Sequence, residues 1–199
     1  MERALLTRHA ESQYSAKNLL NGDPYAWNPL TRKGRKQAKH LGELLRDESI
    51  DLCVTTRFPR TRETADIALQ GRPVPRLVVP ELDDVKVGAF EGKSVEDYRE
   101  WQLANGPADA VPDGESRVDA IKRSIDGYRT ILAREETVIL VVAHGLPITA
   151  VLLALRGEGI PPTLKGVQVE PAEPHPVTAE ELTTALRALR AWTKDVRGS

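Results

Sequence analysis

The chain has 199 residues, a mass of 22.0 kDa and a formal net charge of −1. A chain of this length is more often one domain than two, and its balanced charge gives no electrostatic reason to expect nucleic acid or an anionic membrane as a partner. The single cysteine, Cys53, excludes an internal disulfide and any paired-cysteine metal site, which suits a reducing compartment. We see no signal peptide and no apolar run of the about 20 residues that span a bilayer, so we expect a cytoplasmic protein.

Apolar runs of strand length alternate along the chain with helical patterns, and this order indicates a largely parallel sheet with crossover helices. We therefore predict an α/β fold, a three-layer α/β/α sandwich with a mostly parallel central sheet. The run at 137–143 is expected at its centre because both of its faces are hydrophobic. The other predicted elements are strands at 3–7, 51–55 and 76–79 and helices at 31–46, 60–69, 95–103, 117–134, 146–155 and 178–194.

The whole chain is expected to form a single domain whose core covers about residues 1–156. The next segment, 157–177, is rich in glycine and proline and gives only weak signs of an edge strand. Thr178 and Glu181 have the spacing of a capping box, which predicts a final amphipathic helix over 178–194. We expect this segment and this helix to form an appendage to the core, where the segment either covers the site or packs at a subunit contact.

Two histidines follow two of the predicted central strands. Arg8 and His9 follow the first strand, and His144 follows the last. Parallel strands deliver their carboxyl ends to one edge, where open α/β sheets bind ligands, so the two imidazoles are expected to lie close together. A guanidinium can bind phosphate oxygens bidentately, and an imidazole can attack phosphorus. The same edge receives a helix N-terminus with Arg57 and Arg60, which adds to the positive charge available for a phosphate.

Residues 8–12 read Arg-His-Ala-Glu-Ser and begin a series of short motifs. They match the opening RHG[EQ]S of a known family, except that Ala10 replaces the usual glycine. Each motif alone is weak evidence, whereas the set in the family's order is strong evidence. On these motifs the chain resembles the histidine phosphatase superfamily, the phosphoglycerate-mutase-like proteins. The other matching segments are residues 29–38, 55–65, 90–92, 112–116 and 142–145.

The resemblance implies a metal-independent phosphomonoester hydrolase of the small phosphatase branch, which acts through a phosphohistidine intermediate on a small phosphorylated metabolite. By position in the motifs, His9 is the expected nucleophile. Arg8 and Arg60 are the expected phosphate ligands, and His144 is expected both to bind phosphate and to take part in catalysis. We expect no metal and no cofactor, since four histidines do not supply the clusters of a dinuclear metal phosphatase.

The expected general acid is also assigned through the resemblance. The family carries a glutamate four residues before a glycine, and counting back from Gly88 reaches Asp84. Aspartate is the stronger acid, with a pKa of about 3.9 against about 4.3 for glutamate, so it needs burial or a nearby phosphate to stay protonated near neutrality. Asp83 and Glu81 remain as alternatives for this role.

Hydrolysis is favoured over transfer of the phosphoryl group within the substrate. Compared with the metabolic mutases, segment 92–112 looks too short to enclose phosphoglycerate, and Ser15 stands where those mutases usually carry asparagine. A phosphoglycerate-type mutase stays open as an alternative. A catalytically inactive phosphate-binding or regulatory domain also stays open, because Ala10 crowds the first loop and Asp84 is a short acid.

Candidate contacts to the rest of the substrate lie in the loops at the same edge of the sheet. A solvated position is the simpler interpretation for the arginine among them. We expect a monomer or homodimer that takes a small phosphorylated substrate and has no nucleic-acid or membrane partner. The candidate contact residues are Ser15, Asn21, Gly22 and Arg57.

Overall fold

The computed structural model describes residues 1–198, with side chains described for residues 1–196. The strands are β1 (Arg3–Arg8), β2 (Leu52–Thr55), β3 (Arg76–Val78), β4 (Val138–Ala143) and β5 (Pro174–Thr178). The α-helices are α1 (Arg32–Leu44), α2 (Pro59–Ala68), α3 (Val95–Ala104), α4 (Arg117–Leu132), α5 (Gly145–Leu155) and α6 (Ala179–Gly198). The predicted elements are present with bounds that differ by a few residues, and β5 is the strand that the sequence signalled least.

The strands form one sheet in the order β3-β2-β4-β1-β5. The first four strands in this order are parallel, while β5 pairs antiparallel with β1. Every residue of β4 is buried, as its uninterrupted apolar sequence predicts. The mostly parallel sheet of the prediction is therefore confirmed, with one antiparallel edge.

Helices cover both faces of this sheet. On one face, Leu5 and Leu140 pack in a cluster with Leu41 of α1 and with residues of α2. On the other face, Leu6 and Ile139 pack in a larger cluster with residues of α4, α5 and α6. The alternation of neighbouring strand residues between the two clusters explains the three layers, and the predicted α/β/α sandwich is confirmed. In the part of the chain that the structure describes, no helix is both long and apolar enough to cross a membrane.

The C-terminal part, expected as an appendage, is built into the core. β5 pairs with β1 along the register from Arg3↔Thr178 to Thr7↔Pro174. α6 packs against α4 and α5, and its Leu182 and Leu189 are buried in the larger cluster. The edge of β1 would otherwise expose unpaired backbone groups, so β5 completes the sheet where a parallel neighbour is missing. The predicted capping box is present, since Thr178 and Glu181 exchange hydrogen bonds at the start of α6.

Gly34 lets α1 approach the loop that carries the first histidine motif. The helix starts after Thr31, whose hydroxyl accepts a hydrogen bond from the Gly34 amide at 2.9 Å. A Cβ atom at Gly34 would lie 2.0 Å from the carbonyl oxygen of Glu11, which belongs to the backbone and cannot rotate away. The close approach of helix and loop therefore depends on glycine.

Gly34→Ala is expected to destabilise the protein by about 1–3 kcal/mol, the usual cost of overpacking a rigid contact. Urea unfolding measures this loss of free energy. Gly159→Ala is the matched control, since a Cβ atom at Gly159 meets no atom within 4 Å. Equal stability changes in the two variants would contradict the role of the close contact.

Candidate active site

The register of the sheet brings His9 and His144 together. Arg8 of β1 is paired with Ala143 of β4, so each histidine is the first residue after a strand. The amide of His9 donates to the carbonyl of Ala143 at 3.0 Å, and the two imidazole centroids lie 5.4 Å apart. The expected juxtaposition at the carboxyl edge of the sheet is present.

His9 is held as a neutral imidazole whose unprotonated nitrogen accepts a hydrogen bond from Arg60. Its Nδ1 lies 2.8 Å from the carbonyl oxygen of Ala10, which can only accept, so Nδ1 carries the proton. Its Nε2 accepts a hydrogen bond from Arg60 Nε at 3.0 Å. Burial and the neighbouring positive charge of Arg60 lower the pKa of His9 well below its ordinary value. Nε2 is the nitrogen whose lone pair can act as a nucleophile. The N–H of Arg60 that binds it has to turn to the substrate first.

Ala10, which replaces the family's glycine, does not disturb the loop. It is fully buried in the smaller core cluster, and its amide donates to Thr64 Oγ1 at 3.0 Å. The methyl group therefore packs in the interior while the backbone keeps a hydrogen bond to α2.

Arg60 connects the polar groups of the site. It is the second residue of α2, a helix that begins at Pro59, and only 2% of its surface is exposed. Its guanidinium donates to His9 and also to Asn21 Oδ1 at 2.6 Å and Asp84 Oδ2 at 2.8 Å. Its Nη2 lies 3.2 Å from His144 Nδ1. One buried cation thus contacts both histidines and the carboxylate.

His144 is also held neutral. Its Nε2 lies 2.9 Å from Thr56 Oγ1, and its Nδ1 faces both Arg60 Nη2 and the carboxylate of Asp84. Burial lowers the pKa of His144, and Arg60 lowers it further against the opposing effect of Asp84. The ring is enclosed by Phe58, whose centroid lies 4.7 Å away. The imidazole of His144 and the hydroxyl of Thr56 are thus held in place beside His9.

Asp84 is the carboxylate of the acidic loop that reaches the histidines. Its Oδ2 lies 3.3 Å from His144 Nδ1 and pairs with Arg60. Burial alone favours the neutral acid, but the contacts with His144 and Arg60 outweigh it, and the pKa of Asp84 lies below its ordinary value. The alternative Asp83 instead binds the amide and Nε of Arg57, at 3.0 and 2.6 Å, and the alternative Glu81 is exposed.

The loop that carries Asp84 is fixed from behind by Arg123 of α4. Its guanidinium donates to the carbonyl oxygens of Glu81, Asp83 and Asp84, at 2.9, 3.0 and 3.2 Å. It also pairs with Glu115 at 2.6 Å, which neutralises its charge. Three hydrogen bonds from one side chain therefore position the loop that carries Asp84.

His9, Asp84 and His144 place three possible metal-ligand atoms within 4.8 Å of one another. Each of the three already lies within hydrogen-bond distance of Arg60. A metal ion would have to displace this buried cation from its partners. The donor set is therefore suited to an anion, and two arginines with two neutral imidazoles are suited to phosphate in particular.

Arg8, His9, Arg60 and Asp84 line a cavity of about 240 Å³, while His144 is fully buried and is not part of its lining. The volume is below the about 300–1,000 Å³ of pockets that hold drug-sized ligands, so the cavity suits a small metabolite. Among the sequence-predicted residues, Ser15 and Asn21 line this cavity, whereas Gly22 and Arg57 line a neighbouring one on the other side of Asp84. The predicted residues that line the cavity with His9 are Arg8, Ser15, Asn21, Arg60 and Asp84.

Several site residues were not predicted from the sequence. Glu91 binds Asn21 Nδ2 at 2.9 Å and the amide of Gly22 at 2.7 Å, which fixes the loop above Arg60. Its place in the Phe90–Glu91–Gly92 motif was the available signal. Gln102 and Arg117 line the cavity from α3 and α4, and only the folded structure brings them there.

Segment 157–177 covers one side of the cavity. Arg8 Nη1 donates to the carbonyl of Val169 at 3.1 Å, and the amide of Val169 donates to Thr149 Oγ1 at 3.2 Å. Leu164 and Gln168 contribute side chains to the cavity wall. Of the two placements considered for this segment, the structure has the one over the site.

Comparisons with known proteins agree with this geometry. Residues 4–190 match the family model of the histidine phosphatase superfamily (branch 1). The α-ribazole phosphatase from Shigella flexneri superposes with a TM-score of 0.73 at 27% identity, over 87% of this chain and 89% of that one. An Escherichia fergusonii protein named "probable phosphoglycerate mutase GpmB" is 28% identical over 79% of this chain and 76% of its own length.

An Arabidopsis thaliana protein named "probable 2-carboxy-D-arabinitol-1-phosphatase" is 29% identical over 79% of this chain. The match spans only 34% of the length of that relative. The predicted family and the predicted enzyme class, a phosphatase, are confirmed. The matched model covers nearly all of the described fold, including the segment over the cavity, and the chain belongs to the histidine phosphatase superfamily.

Proposed function

We propose that the protein hydrolyses small phosphomonoesters in two steps at His9. In the first step, Nε2 of His9 attacks phosphorus, the bond from phosphorus to the substrate oxygen breaks, and the alcohol leaves with a proton from Asp84. In the second step, water attacks the phosphohistidine, its proton passes to Asp84, and phosphate leaves. The observation that carries the proposal is the neutral His9, which lines the cavity and whose unprotonated Nε2 lies 3.0 Å from Arg60 Nε.

Arg8, Arg60 and His144 are proposed to hold the phosphoryl oxygens. Arg60 and His144 are buried and fixed by other contacts, so they need little rearrangement as charge develops in the transition state. The entering phosphoryl group takes over the hydrogen bond that Arg60 donates to Asp84. Ser15 and Asn21 are proposed to contact the substrate, while Gly22 and Arg57 shape the adjoining cavity.

Asp84 is proposed as the general acid and base. Beside His144 and Arg60 its pKa is low, so the carboxylate is ionised near neutrality. A phosphate that binds beside it adds negative charge and weakens its pairing with Arg60, and both changes raise its pKa. The proton can arrive with the substrate, because a phosphate monoester has a second pKa of about 6. Asp84 thus becomes protonated, and able to act as the general acid, when the substrate binds.

Trapping of the phosphoenzyme tests this function. The protein is mixed with 4-nitrophenyl phosphate in excess chelator, quenched, digested and analysed by mass spectrometry. We expect one added phosphoryl group on the peptide that contains His9, lost in acid and stable in base, together with release of phosphate. Turnover without a phosphorylated peptide, or turnover that stops in chelator, would contradict the mechanism.

We propose that the protein is located in the cytoplasm. We also propose that it is a monomer or a homodimer. The thiol of Cys53 is buried between the sheet and its helices, and burial raises its pKa to about 12. Such a thiol stays protonated, which suits a core residue in a reducing compartment.

Arg123→Gln is expected to lower kcat by about tenfold or more for alkyl phosphates, with KM changed less than about twofold. The substitution removes the contacts that position the Asp84 loop, and poor leaving groups depend most on a well-placed acid. Kinetics with an alkyl phosphate and with 4-nitrophenyl phosphate measure the difference. Arg129→Gln, on the exposed face of the same helix, is the control. An equal loss on both substrates would contradict a positioning role.

A further inference from the structure

Arg117 is a buried cation without an acidic partner. It is the first residue of α4, and 7% of its surface is exposed. One of its terminal nitrogens, Nη1, donates to the carbonyls of Pro161 and Pro162. Its Nε is buried without a hydrogen-bond partner, and among the residues with described side chains no carboxylate forms an ion pair with it. The hydrogen bonds of Nη1 are thus to backbone carbonyls and bring no negative charge to this guanidinium.

Of the other arginines that line the cavity, Arg60 and Arg99 differ in this respect, while Arg8, whose Nε is also buried without a partner, is already assigned to the phosphoryl group. Arg60 pairs with Asp84 at 2.8 Å, and Arg99 pairs with Glu96 at 3.0 Å. A buried charge without a partner is costly, because the lost hydration is not replaced. Burial accordingly lowers the pKa of Arg117. An anion bound beside Arg117 would replace the missing partner.

The surroundings of Arg117 suit an anion from the cavity. Arg117 lines the same cavity as His9, and it stands at the N-terminus of α4, where the helix dipole adds positive charge. The phenol of Tyr98, whose pKa burial raises to about 12, stays neutral and can donate. The amide groups of Gln102 and Gln168 also line the cavity.

We propose that the natural substrate carries a second anionic group, a carboxylate or a second phosphate, which pairs with Arg117 while its phosphoryl group lies at His9. This inference rests on the proposed function and names the substrate class of that site. A planar guanidinium with free donors binds a carboxylate or phosphate bidentately. The pairing makes Arg117 a specificity determinant, separate from the phosphoryl ligands Arg8 and Arg60.

A different role for Arg117 is to anchor segment 157–177 through Pro161 and Pro162. Loss of an anchor would affect every substrate, whereas loss of an anion partner affects only substrates with the second anion. The two roles therefore predict different ratios of kcat/KM between matched substrates.

The experiment compares compounds of increasing chain length, from phosphoglycolate to 6-phosphogluconate. Each acid is compared with the compound that has an alcohol in place of the carboxylate and with the bisphosphate of the same chain. We expect the native protein to prefer the doubly anionic compound at one chain length by about ten- to hundredfold in kcat/KM, the contribution of charge-assisted hydrogen bonds. Arg117→Met should remove this preference, and Arg117→Lys should restore part of it.

The activity of Arg117→Met on the matched alcohol should stay within about threefold of the native value, a difference of well under 1 kcal/mol. Arg99→Met is the matched control, since Arg99 lines the same cavity but already has Glu96, and it should keep the preference. Equal losses on acid and alcohol, a preference that survives Arg117→Met, or no preference at any length would each overturn the inference. Hydrolysis of 4-nitrophenyl phosphate would in that case leave the proposed function standing.

A binding measurement tests the pairing with Arg117 independently of hydrolysis. Calorimetric titration of the same compounds into His9→Ala measures the preference for the second anion without hydrolysis. Loss of this preference in the His9→Ala, Arg117→Met double variant supports pairing at Arg117 even if no phosphoenzyme forms. Unchanged affinities in the double variant overturn it.

Discussion

His9→Ala is expected to lower kcat/KM by about 10⁴-fold or more for every phosphomonoester, because the substitution removes the atom that forms the covalent intermediate. The remaining donors, Arg8, Arg60 and His144, still bind phosphate but leave direct attack by water as the only route. Release of phosphate from 4-nitrophenyl phosphate in excess chelator measures the loss. The phosphorylated peptide should disappear in parallel.

Two controls keep this result specific. His40→Ala removes an exposed imidazole that pairs with Glu43 on the surface of α1, and its activity should equal that of the native protein. His9→Gln keeps a polar side chain of similar length, so an unfolding curve like that of the native protein would separate lost chemistry from lost structure. Residual activity of His9→Gln above about one tenth of native, roughly 1.4 kcal/mol, would exclude His9 as nucleophile.

Asp84→Asn is expected to lower kcat by about 10²–10⁴-fold for alkyl phosphates and much less for 4-nitrophenyl phosphate. An amide cannot give a proton to the leaving oxygen, and 4-nitrophenolate leaves without one. The ratio of the two kcat values, measured in native protein and variant, isolates proton transfer from binding. Equal losses on both substrates would mean that Asp84 only organises Arg60, to which it is bonded.

The low pKa of Asp84 also gives the direction of a pH effect on stability. A carboxylate whose folded pKa lies below its unfolded value stabilises the protein above the unfolded pKa of about 3.9 and loses this contribution as the pH falls through the folded value. The stability difference between native protein and Asp84→Asn should therefore shrink below about pH 4. Urea unfolding at several pH values measures it, and a difference that grows in acid would contradict the ionised state.

The parts of the site that the sequence predicted are those that follow strands directly. His9 and His144 each come one residue after a central strand, so the parallel sheet alone brings them to one edge. Arg60 lies in the first turn of a helix at the same edge, and the motif spacing located it. Local pattern and one topological rule were sufficient for these three residues.

Other parts depend on contacts that no local pattern encodes. Arg117 and the carbonyls it binds are separated by 44 and 45 residues, and Arg123 reaches carbonyls about 40 residues earlier. The antiparallel β5 carries Pro174 and Pro176, which weaken a strand signal, and its place is set by the free edge of β1. Such contacts follow from which surfaces the completed sheet leaves uncovered.

Segment 157–177 meets the arginines of the site through its backbone. Arg8 and Arg117 contact the segment at carbonyl oxygens, which are present whatever side chains it carries. Leu164 and Gln168, which line the cavity, do not supply these carbonyl oxygens. Substrate selectivity can therefore be changed apart from the phosphoryl chemistry. Substitutions at Leu164 and Gln168 change the part of the cavity wall that contacts the alcohol of the substrate, while the two histidines keep their positions.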